Sequence, residues 1–390
     1  MSKLKRKKQK NSVQKPQTHI SRSIGKPDFL FLFLVLILLV FGLIMVASSS
    51  HVSALYKYGD SYHYIKRQLF FAVVGFLIML GVAFFDYHKL RKWSFAILCV
   101  AVFLLIFVLI PSPLSVKVNG ARRWLNFGVQ FQPSEIGKFA VILTLASYIS
   151  ANYKRMKEIK MSAFPIIVLL IVVGLVAVET HLSGAILIFA IGAIMLFVGG
   201  FPAKYFLIAG GTGVAGLAGI VLFTPYMQSR IEMWLDPFKD AQGRGYQVIQ
   251  SLYAIGSGGL LGLGLGQSRQ KHLYIPEPQN DYIFSIALEE LGFVGAIIIV
   301  ALFAALIIRG LKIAFEAPDT FGMLTVVGII SHIAIQTAFN IAVVCSAIPT
   351  TGISLPFFSF GGTAIMVLLI EIGIVLNVSR QSTKINSVPQ

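Results

Sequence analysis

The chain has 390 residues, of which 56% are hydrophobic, and its formal net charge is +17. Its mean hydropathy of +0.80 excludes an ordinary soluble domain. Because backbone groups in lipid must be hydrogen-bonded within the protein, the composition predicts an all-α, polytopic membrane protein. The basic residues are concentrated in a few short stretches, a distribution that argues against nucleic acid as the partner.

Apolar runs long enough to cross a bilayer of about 30 Å recur along the chain. We predict about ten spans in one membrane domain, residues 28–378, between a basic N-terminal tail (1–27) and a C-terminal tail (379–390). The first run lacks a small-residue cleavage site, so it is predicted to be a retained span. The predicted spans are 28–47, 68–85, 93–110, 134–150, 162–178, 182–199, 204–223, 281–308, 320–346 and 360–378.

The positions of the basic residues predict the orientation of these spans. With ten spans, the basic stretches all fall on one side of the membrane, which the positive-inside rule identifies as the cytoplasm together with both termini. The stretches are the N-terminal tail, residues 89–92, 154–160 and 309–312, and Arg380. The outer side then holds residues 48–67, 111–133, 224–280 and 347–359, of which 224–280, between the seventh and eighth spans, is a large extracellular loop.

An acidic residue opens the predicted eighth span. Asp281, Ser285 and Glu289 recur at steps of four and would share one helical face, with Glu290 roughly opposite. An acid at the entry of a span is either an N-terminal cap favoured by the helix dipole or a functional group. Asn280 is an alternative cap, and its use would leave Asp281 available for chemistry.

Cations in the outer segment 111–133 run against the positive-inside trend. Lys117, Arg122 and Arg123 would suit a phosphate or pyrophosphate at the membrane surface, because Arg and Lys both bind phosphate oxygens well. Glu135 and Lys138 follow at the start of the fourth span, three residues apart on one face. The two residues either belong to the same site or neutralise each other.

Polar residues also interrupt other apolar regions. Glu179 and His181, in the short connector after the fifth span, would line an aqueous cavity without forming a metal site by themselves. Glu371, inside the last span, is expected to face a partner in a structural pairing. Residues 347–363 contain prolines and glycines that favour a re-entrant or loop segment.

The cysteines and one glycine-rich run are two further patterns of the sequence. Cys99 and Cys345 lie in apolar runs and are predicted to be small core residues, with no disulfide framework or metal-ligand spacing. The glycine-rich run 256–266 matches no phosphate-binding loop, which disfavours ATP-driven transport. Its glycines predict a flexible or tightly packed backbone beside the membrane.

Three motifs give the chain a specific resemblance over residues 28–380. They are NGARRWL with QPSEIGKFA, then the long stretch from WLDPFKDAQGRGYQ to PEPQNDYIFSIALEELG, then PTTGISLPFFSFGG. The chain resembles the SEDS family (shape, elongation, division and sporulation; FtsW, RodA and SpoVE), and its SRQKHLYIPEPQNDYIFSIALEELG stretch is most similar to the FtsW and SpoVE branch. One departure is Thr180-His181, where the family often has a Pro-Asp pair, so an essential acid there is in doubt unless Glu179 replaces it.

The resemblance implies a peptidoglycan glycosyltransferase that polymerises lipid II at the outer face of the cytoplasmic membrane. It implies as partners lipid II, an undecaprenyl-pyrophosphate-linked glycan, a class B penicillin-binding protein and other division proteins, with a septal location. The family's essential acid matches Asp281, and its charged cavity and loop positions match Lys117, Arg122, Arg123, Glu135 and Lys138.

The function that the resemblance implies is inverting transfer with Asp281 as general base and the cations on the pyrophosphate. A divalent cation, Mg²⁺ or Mn²⁺, between Asp281 and the pyrophosphate is left open as a cofactor, since no ligand cage is readable. Two alternatives stay open. A lipid II flippase would need a polar path, for which Glu289, Glu290 and Glu371 are the deep acids. A non-catalytic scaffold for division proteins would leave the outer charges dispensable.

Overall fold

The computed structural model describes residues 25–118, 121–206, 219 and 225–381. Most of the predicted seventh span and most of both predicted tails therefore lie outside the described residues. The described part is mainly helical, as predicted. Its α-helices are α1 (Phe29–Tyr58), α2 (His63–Phe84), α3 (His88–Leu109), α4 (Pro133–Asn152), α5 (Ile159–Val178), α6 (Leu182–Val198), α7 (Pro225–Leu235), α8 (Tyr246–Gly258), α9 (Ile283–Phe315), α10 (Thr320–Val344) and α11 (Gly362–Gln381).

Seven of these helices are long and apolar enough to cross a membrane, namely α1, α2, α3, α5, α9, α10 and α11. Helix α6 is as apolar but has only 17 residues. The membrane-protein prediction is confirmed, whereas the count of ten spans stays a prediction. Helices α10 and α11 are mostly buried, while α2, α3 and α9 turn most of their apolar side chains outward, as helices in contact with lipid do.

Helix α1 extends beyond its predicted end and occupies much of the outer segment 48–67. It ends only at Gly59, whose positive φ of 70° and N–H bond to Leu55 O form a left-handed C-cap. Two serines of the added stretch contact the rest of the protein: Ser48 Oγ donates to the carboxylate of Glu290, and Ser53 Oγ to Gln279 Oε1. These long-range contacts, which local sequence pattern does not reveal, accompany the extension of the helix.

The outer segment 111–133 is a small sheet and not an irregular loop. Strands β1 (Ser115–Val118), β2 (Ala121–Asn126) and β3 (Gln130–Phe131) pair antiparallel in that order. In β1 and β2, Lys117 is paired with Arg122 next to a register irregularity. Directly paired residues share a face of a sheet, so the side chains of Lys117 and Arg122 lie together. Arg123 is the extra residue of β2 at this irregularity, between Trp124, paired with Val116, and Arg122.

The large outer segment 224–280 is also more ordered than predicted. Besides α7 and α8 it contains a 3₁₀ turn, Pro237–Asp240. Trp234 Nε1 donates to Ser346 O at 2.8 Å, which joins α7 to the end of α10.

Two expectations about side chains are wrong. Helix α9 begins at Ile283 with Tyr282 as N-cap, so Asp281 precedes the helix and neither caps it nor continues the face of Ser285 and Glu289. The amide of Asn280 donates to Glu277 and is not a cap either. Cys99 and Cys345 are exposed and are not core residues; Cys99 lies on a helix whose outer surface is apolar and suited to lipid.

Candidate functional site

Asp281 is fixed through its backbone while its carboxylate is left without a partner. Three successive carbonyls are bound from across the fold: Gln279 O accepts from Phe360 N, Asn280 O from Ser359 Oγ, and Asp281 O from Asn340 Nδ2, each at 2.8 Å. Within the described residues the carboxylate itself makes no hydrogen bond or ion pair. A carboxylate that has no partner within the described residues, on a backbone held by hydrogen bonds, is the arrangement expected of a reactive group.

The surroundings of Asp281 disfavour its charged form. Burial, and after it the negative charge of Glu277, raise the pKa of this carboxyl to about 6 against the opposing positive charge of Arg123. A carboxyl that ionises near pH 6 is still mostly charged at neutral pH and is more basic than an ordinary aspartate.

Residues 346–361 form a wall beside Asp281, at the position of the predicted re-entrant segment. Gly352, with φ of +70°, lies so close that a Cβ there would be 3.3 Å from Asp281 Oδ2. Carbonyls of this wall accept bonds from three elements: Thr351 O from Ser183 Oγ at 2.5 Å, Thr350 O from Arg230 Nη1 at 2.6 Å, and Ser354 O from Gln336 Nε2 at 3.0 Å.

Arg123 connects the small sheet to the short connector after α5. Its Nε and Nη2 donate to Glu179 O and Thr180 O, at 3.3 and 2.5 Å. The Glu179 carboxyl is buried and has no hydrogen-bond partner among the described residues. Burial raises its pKa to about 8, against the opposing charge of Arg123. Glu179 is therefore mainly neutral at pH 7, which does not suit it to replace an ionised acid at this position.

His181 lies in the same connector, as the N-cap of α6. Burial first, and the charge of Arg123 second, lower the pKa of its imidazole to about 4. The ring is thus neutral at pH 7 and adds no positive charge to the site.

Lys117 and Arg122 occupy the outer surface of the sheet. Within the described part of the chain neither makes an ion pair or hydrogen bond, and Lys117 is exposed. Like charges directly opposite each other on two strands are destabilising. An anion between them would remove this repulsion, so the pair is suited to phosphate.

Lys138 lies in a buried polar network between α4, α10 and α11. Its Nζ is 2.8 Å from Glu135 Oε2 and 3.0 Å from both His332 Nε2 and Gln336 Oε1. An ammonium has three N–H donors, so these three partners suffice to occupy it. On the other side of the imidazole, His332 Nδ1 is 2.9 Å from Glu371 Oε2, the pairing predicted for Glu371.

The tautomer of His332 sets how many donors Lys138 retains. His332 Nε2 either accepts from Lys138 or, in the tautomer that carries the hydrogen on Nε2, donates to Gln336 Oε1 at 2.8 Å. In the second case one N–H of Lys138 is released. A cavity of about 30 Å³, lined by Glu135, His332, Gln336 and Ser354 among others, adjoins the network and has room for a water molecule.

Comparisons with known proteins decide the family. The sequence profile of the FtsW/RodA/SpoVE cell cycle proteins matches residues 28–384. Stage V sporulation protein E of Bacillus subtilis is 44% identical over 91% of this chain and 98% of its own length. The chain belongs to the FtsW/RodA/SpoVE family.

The names of other similar proteins describe an activity or a complex. The probable peptidoglycan glycosyltransferase FtsW of Trichlorobacter lovleyi is 39% identical over 91% of this chain and 94% of its own. A chain of a peptidoglycan synthase complex, solved for the coordination of polymerization and crosslinking, has a TM-score of 0.77 and 28% identity over 92% of this chain and 99% of its own. The rod shape determining protein RodA of Thermus thermophilus has a TM-score of 0.68 and 25% identity over 92% and 98%.

For this FtsW/RodA/SpoVE member, the predicted site residues divide into three groups. Asp281 lies beside Gly352, and the charge of Arg123 acts on its carboxyl. Lys117 and Arg122 are paired across β1 and β2, and Glu135 with Lys138 lies in the buried network.

Sequence reasoning missed the residues that position Asp281. Asn340 and Ser359 bind the carbonyls of Asp281 and Asn280, and Arg230 binds the wall. Asn340 had a readable signal, because a fully buried amide within an apolar span must find hydrogen-bond partners. Ser359 and Arg230 lie in segments rich in polar residues and gave no such signal.

The described residues contain no group of three or more His, Cys, Asp or Glu side chains placed to hold a metal ion. Asp281 supplies one carboxylate at the site. Mg²⁺ in phosphoryl sites is commonly bound by one or two carboxylates together with substrate phosphates and water. The donor set therefore fits a cation that arrives with a pyrophosphate, and not one bound by the protein alone.

Proposed function

We propose that this chain is a peptidoglycan glycosyltransferase that polymerises lipid II at the outer face of the cytoplasmic membrane. The observation that carries the proposal is Asp281: its own carbonyl and the two carbonyls before it are bound from across the fold, and its carboxylate has no partner in the described structure. The family membership and the names of the FtsW relatives support the same activity.

Asp281 would act as the general base. It takes the proton of the acceptor's GlcNAc 4-hydroxyl as that oxygen attacks the anomeric carbon of the donor's MurNAc. The new β-1,4 bond forms with inversion, and the bond to undecaprenyl pyrophosphate breaks, so the leaving group carries away the electron pair. A pKa of about 6 suits this step, because a base works best when its pKa is near the operating pH.

The departing pyrophosphate would be stabilised by cations of the outer segment. Lys117 and Arg122 have no partner among the described residues and lie side by side, which supports an anion-binding role. Arg123 already binds two carbonyls and would act mainly through its charge and by fixing the connector. Stabilising a charge that grows in the transition state raises the rate of transfer.

Glu135 and Lys138 would support the site through the buried polar network between α4, α10 and α11. Lys138 has three acceptors within 3.0 Å, so it reaches a phosphate only by exchanging one of them. A divalent cation between Asp281 and the pyrophosphate would supply further charge stabilisation when bound. Asp281 is the residue that would contact it.

The proposed partners follow from the relatives. A chain of a peptidoglycan synthase complex is among the structural neighbours, which supports a complex with a class B penicillin-binding protein and other division proteins. Similarity to an FtsW and to a sporulation protein supports a role at the division septum or in sporulation, with lipid II and the undecaprenyl-pyrophosphate-linked glycan as substrates.

The flippase alternative receives no support from the deep acids. Glu289 accepts from Ser268 Oγ at 2.5 Å, Glu290 pairs with Lys271 at 2.9 Å, and Glu371 faces His332. Acids engaged in structural pairs do not offer a polar path for a sugar. The scaffold alternative would leave Asp281 dispensable, and the experiment below separates it from the enzyme.

The test is a glycan-polymerisation assay with purified lipid II and the full chain co-purified with its class B partner. Asp281→Asn keeps the side-chain shape but removes the base, and we expect a loss of about 10²–10⁴-fold in rate. The matched control is Glu232→Gln, an exposed acid on α7, which should polymerise like the wild type. Full activity of Asp281→Asn would remove this residue from the mechanism, and an inactive wild type in the intact complex would overturn the enzyme assignment.

A further inference from the structure

Helix α9 is interrupted near its outer end. Gly292 has φ of 69° and ψ of −171°, which is not helical and separates a short upper part, residues 283–291, from the long lower part. An interruption of this kind leaves backbone N–H and C=O groups without their helical partners. In lipid such groups must be satisfied by other protein atoms.

The partners come from residues 259–265, which we call the seam segment. Leu263 N and Gly264 N donate to Glu289 O and Glu290 O, at 3.0 and 2.9 Å. In return, Phe293 N and Val294 N donate to Gly259 O and Leu260 O, at 2.9 and 3.1 Å. Four hydrogen bonds thus tie the seam segment to the break on both of its sides.

Glycines allow this close approach of two backbones. A Cβ on Gly262 would lie 2.2 Å from Glu290 O, and one on Gly292 would lie 2.3 Å from Gly262 N. Both residues also have positive φ. The glycine-rich run is therefore tightly packed here, one of the two alternatives that its composition predicted.

The position of Gly292 along α9 indicates how deep the break in this helix lies in the membrane. Arg309 is 2.5 Å from Asp28, the N-cap of α1, and the predicted topology places this ion pair at the cytoplasmic edge of the membrane. About 20 residues cross the hydrocarbon core, so counting outward from Ile308 the opposite edge falls near Glu289. Gly292 then lies inside that edge by roughly 5 Å, at 1.5 Å per residue.

The seam segment is apolar and exposed at this depth. Leu260 and Leu261 are 71% and 81% exposed, and Leu265 is 54% exposed. They continue the surface of Phe293 and Val294, which are exposed on a helix suited to span the membrane. No charged residue occurs between 259 and 265.

We propose that the seam segment is inserted in the outer leaflet, with the side chains of Leu260, Leu261, Leu263 and Leu265 among lipid acyl chains. Lipid is the occupant that the position favours, since the leucines lie level with the lipid-facing side of α9 and carry no polar group among them. Burying four leucines in hydrocarbon is favourable by the usual hydrophobic transfer energy.

The insertion links the membrane to the half-helix that follows Asp281. Beyond the seam segment, residues 268–271 bind the two acids of that half-helix: Ser268 Oγ and Arg269 N donate to Glu289, and Lys271 Nζ pairs with Glu290. The upper part of α9 is therefore attached to a lipid-anchored segment as well as to the lower helix.

The test measures the depth of a spin label in proteoliposomes of phosphatidylglycerol and phosphatidylethanolamine. The label is placed by Leu261→Cys in the full chain, in which Cys99→Ala and Cys345→Ser remove the native thiols. Collision rates with oxygen, which concentrates in lipid, and with a water-soluble nickel chelate report the surroundings. Labels at Ile298→Cys on the lipid-facing side of α9 and at Lys239→Cys on the outer 3₁₀ turn give the two reference values.

We expect the Leu261 label to collide severalfold more often with oxygen than with nickel, as the Ile298 label does. A preference for nickel like that of the Lys239 label would place the segment in water and overturn the proposal. Low collision rates with both reagents would mean that protein covers the leucines, which also overturns it. The measurement does not require enzymatic activity.

Discussion

At the scale of single residues, Asp281 combines a fixed backbone with an unpaired carboxylate. The sequence identified it as an acid at the entry of a span, but it assigned the residue to the first turn of a helix. The structure shows that it precedes the helix, with its carbonyl bound by Asn340. These bonds join residues 59 positions apart, and such long-range pairing cannot be read from local pattern.

The raised pKa of Asp281 predicts a pH dependence of polymerisation. Burial first, and Glu277 second, raise this pKa to about 6. A general base acts in its deprotonated form, so the rate should rise as pH increases through about 6 and then level off. Glu277→Gln removes the nearby negative charge, so it should lower the pKa and move the acid limb to lower pH.

The measurement is the initial rate of glycan synthesis as a function of pH in the intact complex. Glu232→Gln, which changes a distant exposed acid, should leave the acid limb in place. A rate that does not change through about pH 6, or a limb that Glu277→Gln leaves unmoved, would contradict the role of this carboxyl. Loss of the half-exposed Lys57–Glu277 ion pair should itself have little effect.

At the scale of elements, the sequence predicted the apolar helices well and the outer segments poorly. Runs of about 20 apolar residues have few alternatives to a helix in lipid. By contrast, the strands of the small sheet have only four, six and two residues, too few for alternation to be recognised. The serines of α1 are polar yet buried, so polarity alone wrongly ended that helix.

Replacing glycine by alanine is predicted to have opposite effects at Gly292 in α9 and at Gly256 in α8. Gly292→Ala should destabilise the protein, because the φ of 69° and ψ of −171° lie in a region essentially restricted to glycine that costs other residues about 1–3 kcal/mol. The new Cβ would also lie 2.3 Å from Gly262 N. Gly256→Ala, in the last turn of α8, meets nothing within 4 Å. It should stabilise the protein by at most about 0.5–1 kcal/mol, the difference between the two residues in the middle of a helix.

Thermal unfolding of the purified variants in detergent tests this pair. We expect the midpoint of Gly292→Ala to fall and that of Gly256→Ala to stay or rise. Equal midpoints for the two variants would show that the break in α9 does not depend on close backbone contact with residues 259–264.

At the scale of the whole molecule, the open question is how many times the chain crosses the membrane. Lys154 precedes α5, and Lys239 follows α7. Between them lie α5, α6 and the predicted seventh span, residues 204–223, most of which lies outside the described residues. Three crossings put Lys154 and Lys239 on opposite sides of the membrane, whereas two put them on the same side.

Labelling with a membrane-impermeant maleimide distinguishes these topologies. In a chain whose two native cysteines are replaced, Lys239→Cys should react in intact cells, and Lys154→Cys should react only after the membrane is opened. Both lysines are exposed, so a failure to react reflects the side of the membrane and not burial. If both positions reacted only after the membrane is opened, residues 204–223 would not span, and the wall that Arg230 and Trp234 bind would lie on the cytoplasmic side with residue 154. An outer-face polymerase is incompatible with that arrangement, so this measurement tests the proposed function independently of any activity assay.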